Sequence, residues 1–202
     1  EFAQAAVNAG AVVIDNSSAF RMDPKVPLVV PEVNPKDAFK HEGIIANPNC
    51  TTIIMAVAIY PIHKINPIKR VVVSSYQAVS GAGAMAVEEL KEQVVAIQSG
   101  EEPKAKIFKH VIANNVFSHD SDILENGYCE EEMKMVNETK KIFGDDNIQV
   151  NPTCVRVPIY RAHSESIYLE LTNEVALAAY RQAIEAAPGV QLVDDREKNH
   201  FP

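Results

Sequence analysis

The chain has 202 residues, of which 47% are hydrophobic, 23% charged and 6% aromatic. That length suits one domain, or one domain with part of another, and 8 Gly and 12 Pro are too few for a disordered or collagenous chain. A formal charge of −8 excludes a sequence-independent nucleic-acid binder, which needs a basic surface against phosphates, and no apolar run reaches the ~20 residues that span a bilayer.

Glu1–Gly10 (EFAQAAVNAG) reads as the last turns of a helix stopping at Gly10, and the far end, REKNHFP, carries no terminating feature. The chain is therefore expected to be a segment of something longer. No charged stretch followed by an apolar core opens it, so no signal peptide is expected. Cys50, Cys129 and Cys154 form no C-x-x-C pair, a sparse usage that fits a reducing compartment, with the cytoplasm as the expectation.

Ala11–Ile14 (AVVI) is a short apolar run between Gly10 and Asp15-Asn16 and predicts a buried strand. Leu28–Val30 and Gly43–Ala46 predict two more short strands. Helix remnant, buried strands and short turns in this order look like the tail of a doubly wound α/β unit, although no G-x-G-x-x-G fingerprint is present. Thr51–Ile65 is apolar almost all round, a buried helix that Pro61 kinks or ends. Arg70–Ser75 is a β-branched strand.

Ala84–Gln98 predicts a helix, with Leu90, Val94 and Ile97 recurring at i, i+4 and i+7 and Gly100 as its stop. Pro103–Tyr128 has no period and reads as a long irregular excursion. Glu130–Phe143 predicts a second amphipathic helix, its apolar stripe formed by Met133, Val136 and Phe143. Thr153–Pro158 alternates, with Val155 and Val157 on one face and Cys154 and Arg156 on the other. Ser166–Leu171 alternates with Ile167, Leu169 and Leu171 inward. One-sided strands of this kind imply an antiparallel sheet with one covered face. Glu174–Ala187 predicts a third helix, stopped by Pro188-Gly189.

Cys50 stands at the start of the buried helix, where unpaired N–H groups and the positive dipole end favour a thiolate and suit an oxyanion or phosphate. It reads equally as a small buried hydrophobe beside a turn. His163, just before the last strand, has the proton affinity that thiol chemistry needs near neutrality, and also fits an ordinary strand-end histidine. Arg156 is suited to bidentate capture of a carboxylate, or to a salt-bridged sheet face. The loop Gln77–Gly83 (QAVSGAG) is small enough to let backbone approach a ligand. Glu131 and Lys134 stand i, i+3 on one helix, the spacing of a routine surface ion pair. Arg21 is a lone cation in a loop. The remaining histidines, His41, His63, His110, His119 and His200, are dispersed, and no metal-binding spacing occurs.

Taken together, IDNSSAFRMD at 14–23, VPEVNP at 30–35, IIANPNCTT at 44–52, SSYQAVSGAGAMAVEEL at 74–90, GYCEEEMK at 127–134 and CVRVPIYRAHSES at 154–166 resemble the aspartate-β-semialdehyde dehydrogenase family in content, order and spacing. The resemblance implies an α/β protein. Residues 1–48 would be the C-terminal part of a Rossmann-type NAD(P)-binding domain. Residues 49–202 would be an incomplete α+β catalytic and dimerisation domain like that of glyceraldehyde-3-phosphate dehydrogenase.

The resemblance further implies reduction of L-aspartyl-4-phosphate by NADPH through a cysteine thioester, with release of inorganic phosphate, on the route to lysine, threonine, methionine and isoleucine. Cys50 would be the nucleophile, His163 the acid–base residue and Gln77 the residue that orients the intermediate. Arg156 would grip the substrate α-carboxylate and Glu131 its ammonium. Arg21 and Lys134 would form the phosphate site with Asn49 beside them, and Ser80 and Gly81 would lie near the nicotinamide. The excursion 103–128 would belong to the subunit interface of a homodimer or homotetramer. Two rivals remain: N-acetyl-γ-glutamyl-phosphate reductase, with the same thiol chemistry on an acylated substrate, and a catalytically silent dimerising module.

Overall fold

A computed structural model describes residues 2–202. Its elements, in order, are α1 (Ala3–Asn8), β1 (Val13–Asp15), β2 (Ile44–Ala46), α2 (Cys50–Ile65), β3 (Ile68–Gln77), α3 (Ala84–Gln98), β4 (Phe117–Ser118), α4 (Glu130–Phe143), β5 (Gln149–Arg156), β6 (Ser164–Leu171) and α5 (Leu177–Glu185). Two compact units divide the chain: Glu1–Arg70 with Asn137–Gln149 and Leu169–Pro202, and Val71–Val136 with Val150–Tyr168. Glu1, and with it the expected start of the first helix, lies outside the described residues.

In the first unit β1 and β2 pair in parallel, and Leu28 adds a single parallel bridge to Ala46 on the far side of β2. The apolar core gathers Val26, Leu28, Val30, Val33, Ala46, Ala56 and Ile142. The run at 11–14 was expected to be buried, but Ile14 is 75% exposed. Burying a wholly apolar strand takes a layer over each face of its sheet, and among the described residues β1 stands at the edge of a two-stranded sheet with the Ile14 side chain uncovered. Helix α1 closes where expected, with Gly10 at φ +85°, a left-handed turn that glycine adopts without strain.

Helix α2 runs through Pro61 to Ile65 without ending there. Proline removes one backbone donor, but the exit of the helix is held by Asn66, whose N–H donates to the Ile62 carbonyl and whose amide binds Asn173 O and Tyr180 Oη. The C-terminal turns of α4 lie in this unit. There the Lys141 ammonium donates to the carbonyls of Arg21, Asp23 and Val26 at 2.7, 2.7 and 2.8 Å and fixes the loop between them.

The second unit is built on a sheet of order β4-β5-β3-β6. β4 and β5 are antiparallel. Arg70 bonds to Gln149 at one end and Val157 N to the Gln77 carbonyl at the other, so β3 and β5 run in the same direction. Thr172 N meets Pro67 O, and Ala78 N meets His163, so β3 and β6 are antiparallel. The sheet is mixed, not wholly antiparallel as expected. One-sided alternation reports which face is covered and carries no information about strand direction.

Helix α3 occupies the residues its periodicity predicts, and the excursion after it has no regular structure apart from β4. Two buried side chains of α3 hold that excursion in place. The Gln93 amide oxygen accepts from Ile112 N and Ala113 N at 2.9 and 3.0 Å, its nitrogen donates to the Lys104 carbonyl, and Glu89 accepts from Ile107 N. Phe108, Ile112 and Ala113 then complete a core with Val79, Ala86 and Leu90. On α4 the buried face carries Glu131, Met135, Glu138, Thr139 and Ile142, whereas Met133, Val136 and Phe143 are only half-buried. The expected stripe is therefore displaced by part of a turn, because two carboxylates occupy its covered face.

Candidate active site

Arg21, Asn49 and Cys50 belong to the first unit; Gln77, Ser80, Gly81, Glu131, Lys134, Arg156 and His163 belong to the second.

In the first unit Cys50 is the opening residue of α2 and is exposed, whereas Cys129 and Cys154 are buried. Burial pushes the Cys154 thiol up to about 12, which leaves it inert at neutral pH. Asn49 caps the helix: its Oδ1 accepts from Thr51 N at 3.0 Å and Thr52 N at 3.3 Å. Those two N–H groups, expected to be open to an oxyanion, are thus taken by the cap itself. Asn49 in turn donates its backbone N–H to Glu138 Oε2 at 2.6 Å.

The other oxygen of Glu138 meets Arg21 Nη1 at 3.2 Å, and Arg21 Nη2 donates to Asn16 O. Arg21 is not the lone loop cation its sequence suggests but a buried one, 8% exposed, in an ion pair. Burial raises the Glu138 carboxyl above its ordinary range, and the Asn49 N–H and Arg21 offset only part of that.

In the second unit His163 Nδ1 accepts the Ala78 backbone N–H at 2.9 Å. A neutral imidazole then carries its proton on Nε2. Burial, followed by the Arg156 guanidinium, holds the ring below its ordinary pKa against the opposing pull of Glu131. The residue before it, Ala162, sits at φ +71°, a left-handed conformation that costs a non-glycine residue on the order of 1 kcal/mol and turns the chain into β6. Gly81 faces the same ring: a Cβ there would lie 3.2 Å from His163 Cε1 and Nε2 and 3.4 Å from Arg156 Nη1. The absence of a side chain lets the loop backbone pack closely against the imidazole. Its loop, a 3-10 turn over Val79–Ala82, is pinned by Val79 N to Ile159 O and Ser80 N to Tyr160 O.

Arg156 is 3% exposed on the covered face of β5. Its Nη1 donates to the Ala78 carbonyl at 3.1 Å, its Nη2 lies 3.0 Å from His119 Nε2 and 3.7 Å from Asp120 Oδ1, and the Phe108 ring covers it at 5.3 Å. Glu131 and Lys134 form the expected i, i+3 pair at 3.1 Å, but with the carboxylate buried. Gln77 ends β3, 1% exposed, and its Nε2 donates to Ser75 Oγ at 3.2 Å. Ala78 and Arg156 thus link the imidazole and the guanidinium through one backbone residue.

Three side chains escaped the sequence reading: His119, Glu138 and Glu165. Glu138 was discoverable, since Glu131, Met135, Glu138 and Ile142 recur at helical spacing. Glu165 was discoverable too, by extending the alternation of Ile167, Leu169 and Leu171 two residues back. It lands on the inward face of β6, with both carboxyl oxygens out of solvent and no hydrogen-bond partner among the described residues, and burial pushes it up to about 8 from an ordinary 4.5. His119 lies in the irregular excursion, where no period marks it.

Glu165 gives a pH prediction. Below its ordinary value the carboxyl is neutral in folded and unfolded chains alike. Between pH 4.5 and about 8 the unfolded chain has released the proton while the folded one keeps it, so stability falls as pH rises. The slope is about 1.4 kcal/mol per pH unit across that window. Glu165→Gln should remove it. Urea unfolding at the two ends of the window checks this, and equal slopes for parent and variant would refute it.

Matches to known proteins agree with this architecture. The family model described as "Semialdehyde dehydrogenase, dimerisation domain" matches residues 59–202, and "Semialdehyde dehydrogenase, NAD binding domain" matches residues 1–41. A protein of Synechocystis sp. named aspartate-semialdehyde dehydrogenase is 57% identical over 201 residues, covering 100% of this chain and 60% of that protein. One of the same name from Aquifex aeolicus is 56% identical over 196 residues, covering 96% of this chain and 58% of that protein. The crystal structure of aspartate semialdehyde dehydrogenase II complexed with ASA, from Vibrio cholerae, superimposes with a TM-score of 0.93 at 43% identity, covering 96% of this chain and 58% of that one.

The fold is that of an α/β protein with the end of a dinucleotide-binding domain followed by an α+β dimerisation domain. The chain belongs to the semialdehyde dehydrogenase family. It spans about three fifths of the length of the curated relatives it matches.

Proposed function

We propose that the intact protein reduces L-aspartyl-4-phosphate to L-aspartate-4-semialdehyde with NADPH and releases inorganic phosphate. In this reading residues 1–48 belong to the dinucleotide-binding domain and 49–202 to the catalytic and dimerisation domain. The observation that carries it is the cluster of the second unit: an imidazole of fixed tautomer, a guanidinium under an aromatic ring and a buried carboxylate–ammonium pair. It occurs in a chain 57% identical to a protein named for the semialdehyde that this reaction forms.

Cys50 attacks the acyl carbonyl, the C–O bond to phosphate breaks, and a thioester remains on sulfur. Nicotinamide, when bound, supplies the hydride that reduces this thioester. The resulting thiohemiacetal collapses, returning the electron pair to Cys50 sulfur and freeing the aldehyde. His163 serves as the acid–base residue at the carbonyl oxygen. With Nδ1 occupied by Ala78, its Nε2–H donates to that oxygen as charge builds there.

Arg156 takes the α-carboxylate and Glu131 the ammonium of the substrate, and Gln77 orients the reacting acyl group. Arg21 and Lys134, with Asn49, supply the phosphate site; each cation shares itself with a carboxylate already present, Glu138 or Glu131. Ser80 and Gly81 lie beside the nicotinamide in this reading, in a loop whose backbone packs closely on His163 because residue 81 carries no side chain. Phosphate-dependent oxidation of the two candidate semialdehydes by the intact protein with NADP tests the reading. L-aspartate semialdehyde should be preferred, and preference for the N-acetylated glutamate homologue, or no turnover of either, would overturn it.

The protein acts as a homodimer or homotetramer in this reading, with the excursion 103–128 contributing to the interface. Phe108, Ile112 and Ala113 are committed to the core of their own unit, whereas Ile107, Val116, Ile123 and Leu124 are exposed and available to a second copy. The reading places the protein in the cytoplasm, where its thiol stays reduced. Among the described residues no helix is long and apolar enough to cross a membrane.

A further inference from the structure

We propose that His119 is a positioning residue for Arg156: a neutral imidazole protonated at Nδ1 that accepts a hydrogen bond from Nη2 and fixes the plane in which the guanidinium meets a carboxylate. The inference rests on the reading of Arg156 as the fork for the substrate α-carboxylate.

A guanidinium has donors only, so the 3.0 Å contact requires an unprotonated His119 Nε2. The ring proton of the neutral form then sits on Nδ1, which lies 3.1 Å from Ser121 Oγ. The Ser121 N–H also points its hydrogen at Nδ1 at 3.2 Å. A neutral imidazole has one acceptor for these two donors, and the shorter, charge-assisted bond from the guanidinium has the stronger claim on it. Ser121 Oγ accepts in addition from the Glu131 backbone N–H at 3.2 Å. A continuous relay therefore joins the first turn of α4, through a hydroxyl and an imidazole, to the guanidinium. Ala78 O holds Nη1 and the Phe108 ring lies against the guanidinium face, whereas at Nη2 the Asp120 carboxylate stands farther off, at 3.7 Å, so that His119 makes the shorter contact there. His119 sets the Nη2 end within the plane, which is the geometry a two-pronged grip needs.

Protonation would break this arrangement. An imidazolium donates from both nitrogens, so the bond from Nη2 is lost and two cations stand together. The charged groups facing the ring are Glu131, Arg156, Asp120 and Lys134. Burial disfavours the cation most, Arg156 and Lys134 act in the same direction, and Glu131 and Asp120 oppose them, leaving His119 below its ordinary pKa. The neutral, Arg-holding form thus prevails at neutral pH and is lost only as pH falls through that depressed value.

Steady-state kinetics of the intact protein with L-aspartate semialdehyde, phosphate and NADP, from about pH 5 to about pH 8, test the inference. His119→Ala should raise KM for the semialdehyde about tenfold while kcat changes less than about threefold. In the parent, KM should climb on the acid side. His119→Gln supplies an amide oxygen to Nη2 and an N–H to Ser121, so its KM should lie within about threefold of the parent and lose the acid-side climb. Arg156→Lys, run in parallel, should raise KM sharply because an ammonium lacks the fork.

If Arg156→Lys leaves KM unchanged, the carboxylate reading falls and this inference with it. If Arg156→Lys raises KM but His119→Ala does not, or His119→Gln keeps the acid-side climb, the carboxylate reading stands and the role of His119 is overturned. Should His119→Ala fail to fold, the pH profile of His119→Gln decides alone.

Discussion

Cys50→Ser in the intact protein is expected to reduce turnover by at least about a thousandfold while leaving the fold unchanged. A serine hydroxyl at the start of α2 is a far weaker nucleophile than a thiol, and an oxygen ester accepts hydride less readily than a thioester. The structural cost is small because Cys50 is exposed and its Sγ makes only a long contact, 3.8 Å, with Thr51 Oγ1. Thermal unfolding should therefore match the parent. Alkylation followed by peptide mass analysis gives an independent readout: Cys50 should react first in the parent, since Cys129 and Cys154 are buried. Turnover within tenfold of the parent would remove Cys50 as nucleophile.

Glu138→Ala carries the largest expected cost in stability, about 3–5 kcal/mol. The carboxylate holds two things at once, the Arg21 guanidinium and the N–H of Asn49. Without it a buried cation stands unpaired and the helix cap loses its anchor one residue before Cys50. Against a typical net stability of 5–15 kcal/mol, such a loss is easily read as a shift in the urea midpoint. Glu138→Gln should cost less, since its amide oxygen still accepts from Asn49 while its NH2 faces Arg21. A loss below about 1 kcal/mol for the alanine variant would show that this ion pair is no keystone of the first unit.

Buried carboxylates, Glu138 and Glu165 among them, mark where the sequence pattern misleads. Periodicity located α3 and α4 to the residue, because apolar spacing and glycine stops are local signals. It misplaced the covered face of α4, because the rule that acidic residues face solvent fails where Arg21 and Asn49 wait to receive one. Arg21 itself looked solitary because its partner lies 117 positions away. Strand alternation was legible in β6 but was read two residues short, and so Glu165 was overlooked.

By itself the sequence determined the chain's character: an acidic α/β protein, its helices and strands, and the residue types that thiol chemistry on an acyl phosphate needs. Motif order went further and identified the family. Only the tertiary structure decided how those side chains are held. The tautomer of His163 follows from the backbone N–H of Ala78, 85 positions away, and the hold on Arg156 from His119, 37 positions away. Hydrogen-bond partners at such separations are chosen by the packing of strands and loops, which no local pattern encodes. The chemistry is written in residue types, and its geometry in contacts that exist only once the chain has folded.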